Sequence, residues 1–365
     1  MKKAFTITEL LVAIGLLAII MAGSGVVFST TMRARHRAAA TAEISRKLRA
    51  VTDQLNTDFK GLRKDGLIFV AWTAGQQNGR YIRDDRILFF ANGDFQSYGA
   101  DPSLPIVRGN VARICYTLAD DSSGKVAMQQ KPRRRILARS QHILTADESL
   151  PLFPDLENIP VPLQLIKNED YIKRNQQYEY DIESMAGWKN LSMDKLAEIL
   201  TVATGIKIKI KSLDEDTDPT TGGLMVDPEK PENVHLLLCE GISQFSIQGW
   251  YDNRIDPPRW FPQVDPDGDD FIDIDPPDDL SDSDFPTTGS PPAIDPNNVA
   301  AIIYHPRGVA VYGDGFTDPV PPLDEANFNN IPGLGRAFKF TFTIYDSKGV
   351  FTDGKTFSHI VYLDD

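Results

Sequence analysis

From Leu10 to Phe28 the chain carries no charge, and its only polar interruptions are Gly and Ser. At about 1.5 Å per helical residue, that run covers roughly 30 Å, the thickness of a bilayer's hydrocarbon. Glu9 stands at its edge, where an ionisable side chain needs a partner to offset its transfer into lipid. Beyond the run the rhythm changes. Ile44, Leu48, Val51, Leu55, Phe59 and Leu62 recur at helical steps, which predicts one amphipathic helix continuous with the apolar segment. The spacing of that stripe is what a helix packed on its own domain shows, and Gly61 and Gly66 bracket its end.

Strand rhythm follows the helix. Residues 67–72 and 86–91 read as strands separated by a Gly/Asn/Asp turn region, and 111–118 as another. Residues 120–233 read as an insertion of mixed character. Within it 150–165 is extended, and 193–204 is an amphipathic helix with Leu196, Ile199, Leu200 and Ala203 inward. Residues 206–210 alternate as a half-exposed strand. Residues 241–252 alternate again. At the C-terminus, 336–346 and 355–363 form a hairpin with Asp346, Ser347, Lys348 and Gly349 at its corner. The pattern as a whole predicts an α+β fold, a long N-terminal helix packed on a head of mainly antiparallel β-sheet.

Length and charge narrow the function. The 365 residues suffice for an anchor plus one large domain or two smaller ones, and the net charge of −13 argues against nucleic acid as the main partner. The charge is uneven. Residues 1–66 hold eleven Lys/Arg against five Asp/Glu, whereas 252–298 hold thirteen acidic residues against Arg254 and Arg259. Lys2 and Lys3, ahead of the apolar span, place the N-terminus in the cytoplasm and the remaining chain beyond the membrane.

A secretory signal would cut near Ala22, Gly23 and Ser24, yet the helical pattern runs through that point to about Leu62. The start fits another pattern. A short basic leader, Ala4, Phe5, and Glu9 at the fifth position from Phe5 resemble the class III leader of type IV pilins and pseudopilins. Ala4 stands where that family usually has Gly. The resemblance implies that a prepilin peptidase cuts before Phe5 and methylates the new amine. It also implies that Glu9 pairs with the N-terminal amine of a neighbouring subunit during assembly. The chain then divides into a leader (1–4), a transmembrane half-helix (5–30), an amphipathic half-helix (31–65) and a periplasmic head (66–365).

The head is similar to the J-type minor pseudopilin of the type II secretion system. The carriers are Leu55-Asn56-Thr57-Asp58-Phe59 at the helix end, the strand ending in Trp250, and a closing hairpin introduced by Ile331-Pro332. Glu9 matters here too, because the K-type tip subunit characteristically lacks that glutamate. This resemblance implies a structural subunit in the inner membrane at or near the tip of a pseudopilus. Its partners would be other minor pseudopilins or pilins and the inner-membrane secretion machinery. The alternatives are a minor pilin of a type IV pilus or DNA-uptake filament, or an anchored calcium-dependent binding module.

That last alternative rests on the acidic loop. Asp265, Asp267, Asp269 and Asp273, with the Phe271 carbonyl, stand at calcium-loop spacing and resemble thrombospondin and dockerin repeats. Asp270 replaces the turn Gly, and Pro276 stands where the closing ligand belongs. A solvated, proline-rich acidic linker is the other reading of residues 252–298. Cys115 and Cys239 lie in strand-like segments and are either a disulfide or two buried thiols. Lys131, Arg133, Arg134 and Arg135 form a basic cluster, read as a solvated face or as a lipid or acidic-partner contact. The five His are scattered, and no metalloprotease, nucleophile-elbow, Walker or dinucleotide motif occurs outside the span, so no enzyme is expected.

Overall fold

A computed structural model describes residues 6–77, 80–97, 106–119, 131–145, 179–181, 185–191, 196, 208–210, 224–226, 236–251, 259–261, 263–264, 272–273, 299–305, 308–312 and 334–363. Its spine is α1 (Ile7–Lys60), 54 residues without a break. Gly61 caps its end, donating its N–H to the Asp58 and Phe59 carbonyls. From residue 6 to residue 39 no side chain is buried, so this half of α1 stands free of the head. Packing begins at Ala40 and continues through Ile44, Val51, Leu55 and Phe59, with Leu48 and Leu62 partly covered. The stripe read from the sequence is the stripe that packs.

Strands follow in chain order as β1 (Ile68–Gln77), β2 (Arg80–Arg83), β3 (Arg86–Gln96), β4 (Arg108–Leu118), β5 (Ile136–Leu144) and β6 (Tyr180–Asp181). After a short helix α2 (Met185–Asn190) come β7 (Ile208–Ile210), β8 (Leu224–Val226), β9 (Leu237–Glu240), β10 (Ile242–Tyr251), β11 (Arg259–Phe261), β12 (Gln263–Val264) and β13 (Ile272–Asp273). The chain ends with β14 (Val299–His305), β15 (Gly308–Tyr312), β16 (Ala337–Ile344) and β17 (Lys355–Tyr362).

A large sheet runs β15-β14-β1-β3-β4-β5-β6, with β2 on β1 and β9 on β5. All of its pairings are antiparallel except β5 with β6. A second sheet runs β11-β10-β16-β17, antiparallel throughout. The packed half of α1 lies against both. Phe59 shows how: its ring centroid is 4.3 Å from that of Phe89 in the large sheet and 5.3 Å from that of Phe340 in the small one. Burying each such side chain contributes about 1.5–3 kcal/mol, more than helix propensity alone supplies. On the far face of the large sheet, Trp188 of α2 packs on Phe90 and under the Arg113 guanidinium.

The sequence reading needs two amendments. The strand expected at 67–72 runs on to Gln77, and β2 folds back on it before β3 begins. The hairpin of β14 and β15 was not anticipated, yet β14 pairs with β1 along six residues. Of the helix expected at 193–204, Leu196 is helical and buried while its other residues lie outside the described ones, as do Ile331 and Pro332.

Candidate assembly site

The candidate site begins at the first described turn. Thr6 is the N-cap of α1 and Glu9 its third helical residue, which together make a capping box. The Thr6 N–H and hydroxyl both donate to Glu9 Oε2, at 3.0 and 2.9 Å, and the Glu9 N–H donates to Thr6 Oγ1 at 3.3 Å. These bonds orient the carboxylate but do not neutralise it. Around it stand Ile7, Leu10, Leu11 and Val12, all exposed, on a helix long and apolar enough to cross a membrane. A carboxylate on such a surface calls for a cation from outside the chain's own head. Ala4 and Phe5, the expected processing site, lie outside the described residues.

A bare helix arm transmits force or register only if its root is held; two joints hold it, and a third locks together the sheets it packs against. At the end of α1, Arg139 donates to Asp58 from Nε at 2.6 Å and from Nη2 at 2.7 Å, Tyr116 donates its hydroxyl at 2.5 Å, and Gln54 adds an amide at 3.1 Å. Burial works against the Arg139 charge, but the Asp58 carboxylate outweighs it and holds the guanidinium pKa above its usual value. The Tyr116 phenol is pushed up by burial, and then by that same carboxylate.

The second joint lies where α1 first meets the head. Glu43 accepts from the Ser347 N–H at 2.9 Å and hydroxyl at 3.0 Å, while Lys47 donates to the Tyr345 carbonyl at 3.0 Å. The turn it grips is itself held by Asp346, which accepts the Val350 and Phe351 amides at 2.8 and 2.9 Å. Burial works to raise the Asp346 pKa, yet those amides overcome it and hold it low. Gly349 and Gly354 supply the positive φ values, 69° and 68°, that bring the chain round into β17.

The third joint binds sheet to sheet. Asp85 takes the Ile247 N–H at 2.6 Å, Arg83 pairs with Asp85 and donates to the Ile247 carbonyl at 3.0 Å, and the Asp85 N–H donates to the Phe245 carbonyl at 2.9 Å. None of the three joints was anticipated as such from the sequence. For the first a signal existed: Asp58 sits seven residues after Val51, on the apolar stripe, where an acid must be paired once buried.

The other anticipated positions divide plainly. Cys115 and Cys239 are both buried and are not joined in a disulfide. The disulfide cannot form, because Cys115 faces Ser140 on β5 while Cys239 faces Leu137, three residues along and therefore on the opposite face. The two strands also flank β5, about 9.5 Å apart, beyond the reach of a bridge. Burial pushes the Cys115 thiol up to about 12 and the Cys239 thiol up to about 11. The basic cluster splits. Lys131, Arg133 and Arg134 are exposed, but Arg135 is buried and donates to the Ser243 carbonyl.

Asp265, Asp267, Asp269 and Phe271 lie outside the described residues; the backbone of Asp273 pairs with Gln263 between β13 and β12. Among the described residues no group of three or more His, Cys, Asp or Glu side chains is placed to hold a metal. Comparison with protein-family models, with curated proteins and with solved structures finds no match to the chain.

Proposed function

We propose that the protein is a membrane-anchored, non-catalytic structural subunit of pilin type, a minor pseudopilin at or near the tip of a type II secretion pseudopilus. The observation that carries this reading is one helix with two unlike halves. Its first half is bare and apolar with a single carboxylate near its start, and its second half forms the core of an α+β head. A subunit built to hand its helix from lipid to neighbouring subunits needs both, together with a rigid root between them.

In this reading the chain crosses the inner membrane once, with the head periplasmic. The orientation read above from Lys2 and Lys3 does not stand on charge alone, because Arg33, Arg35 and Arg37 flank the far end of the span as those lysines flank the near one. The leader's likeness to a prepilin sets it. After cleavage before Phe5, Glu9 takes the new amine of a neighbouring subunit, and two charges that would each be costly in lipid offset one another. Co-expression with a prepilin peptidase tests this. The mature chain should begin at Phe5 and should co-purify from membranes with other subunits of the same leader type. A mature start just after Ala22 or Ser24 would overturn the reading.

A further inference from the structure

The end of the span nearest the head carries a basic surface that assembly through Glu9 does not use. Arg33, Arg35 and Arg37 follow soon after Phe28 and are all exposed, Arg35 on the opposite side of the helix from the other two. The helical rise sets them about 7–14 Å beyond Phe28, from the outer edge of the headgroup layer outward, a distance over which long arginine side chains reach back toward lipid phosphates. The turn between is fitted for that passage. The Ser29 and Thr30 hydroxyls donate to the Val26 carbonyl at 2.9 and 2.8 Å, and the Thr31 hydroxyl donates to that of Val27 at 2.8 Å. Its hydroxyl protons are therefore satisfied without water.

Among the described residues, none of the three arginines is in an ion pair. Further along the helix, the second joint holds the turn bearing Lys348 against α1, with Arg133 beside it, donating to the Gly349 carbonyl at 3.4 Å. Arg133, Arg134 and Lys348 are exposed, so this part of the head is basic as well. In a chain of net charge −13, positive charge is thus gathered toward the membrane end.

We propose that this surface binds the anionic phospholipid headgroups of the leaflet facing the head, with the arginine girdle as the primary contact and the head's basic corner as a second, weaker one. Guanidinium forks match phosphate oxygens in paired, charge-assisted hydrogen bonds, and long side chains reach back toward the interface from either side of the helix. Such a contact fixes the depth of α1 in the bilayer and holds the head close above it. The proposal rests on α1 crossing a membrane and is independent of the pseudopilin reading.

The test uses full-length protein reconstituted in vesicles of phosphatidylcholine and phosphatidylglycerol, extracted in mild detergent, with retained lipid identified by mass spectrometry. Wild type should retain phosphatidylglycerol above its share in the vesicle. The enrichment should fall on the order of fivefold per arginine removed in Arg33→Gln/Arg35→Gln/Arg37→Gln, and less in Arg133→Gln/Arg134→Gln/Lys348→Gln. Equal retention of the two lipids, or enrichment that survives loss of the girdle, overturns the proposal. So does cross-linking of the girdle to residues 252–298 of a second copy in place of lipid. Carbonate extraction separates the premise: wild-type protein released by it would overturn the membrane-crossing reading, and the proposal with it.

Discussion

Asp58, in the last turn of α1, takes both prongs of the Arg139 guanidinium from β5, at 2.6 and 2.7 Å, inside the protein. This pair welds the root of the bare helix arm to β5 of the large sheet, so motion of the arm becomes motion of the head. Arg139→Ala leaves a buried carboxylate without its cation and should lower stability by about 3–5 kcal/mol. Replacing the group together, as Asp58→Leu/Arg139→Met/Tyr116→Phe, should recover most of that loss, since no buried charge is left unpaired and only the Gln54 and Gln141 amides each lose one partner. Urea denaturation of the full chain in detergent, followed by near-ultraviolet circular dichroism, measures both. Equal losses in the two variants would mean that packing, not charge pairing, makes the weld.

Gly61 ends α1 where the backbone turns alongside β3, and its carbonyl accepts the Asn92 N–H at 2.7 Å. A methyl group there would overlap the Asn92 carbonyl oxygen, a backbone atom that cannot swing aside. Gly61→Ala should therefore destabilise by about 1–3 kcal/mol, although Ala is the better helix former. A variant as stable as wild type by the same denaturation assay would show that the helix end and β3 separate without cost.

His359 on β17 lies 2.8 Å from Asn56 Oδ1 on α1. Burial holds its pKa below 6.5, and the opposing pull of Asp53 does not restore it. The folded state thus disfavours the imidazolium. Its contribution to stability is complete above the unfolded value, near pH 6.5, and is lost as pH falls from there toward the lower folded value. His359→Gln can still donate to Asn56 and should flatten this part of the thermal midpoint against pH. The same slope in both proteins would assign the pH dependence to other groups.

Both thiols should be inert in the native protein. Burial holds Cys115 and Cys239 protonated at neutral pH, up to about 12 and about 11, and the sheet sets them on opposite faces. An alkylating reagent should modify neither until denaturant is added, then both, and mild oxidants should produce no intramolecular bridge. Native-state alkylation of either at the rate of a free thiol would place it nearer the surface than these strands do.

The helix was legible because its two halves obey simple rules: an uncharged run, then a stripe from Ile44 to Phe59 that buries as spaced. Alternation likewise marked β10, β16 and β17, each with one face in the core. What escaped were features that depend on partners distant in sequence. Arg139 lies 81 residues from Asp58, and Ile247 lies 162 from Asp85, so neither pair leaves a local pattern. The apolar run 299–304 carries no alternation, and its place beside β1 follows from sheet order alone. The opposite facing of Cys115 and Cys239 required the register of β5 with both neighbours, which composition cannot supply.

In the proposed subunit Glu9 has two tasks at once, and its variants separate them. Its carboxylate caps the first turn through Thr6, and under the proposed function its charge pairs with a cation on another subunit. Capping at an exposed first turn is worth about 1 kcal/mol, and the head's first buried contact comes only at Ala40. Folding and membrane insertion should therefore survive Glu9→Ala, Glu9→Gln and Glu9→Asp alike. Assembly should not. Glu9→Gln keeps an oxygen for Thr6 but cannot offset a neighbour's ammonium, and an unpaired charge in lipid costs about 2.5–3.5 kcal/mol, or on the order of 100-fold in complex formation. Cross-linked complex with partner subunits should thus fall as far in Glu9→Gln as in Glu9→Ala, while Glu9→Asp, with the charge kept on a shorter arm, should retain part of it. If Glu9→Gln assembled like wild type while Glu9→Ala failed, the helix cap would be the working feature and the charge pairing would be wrong.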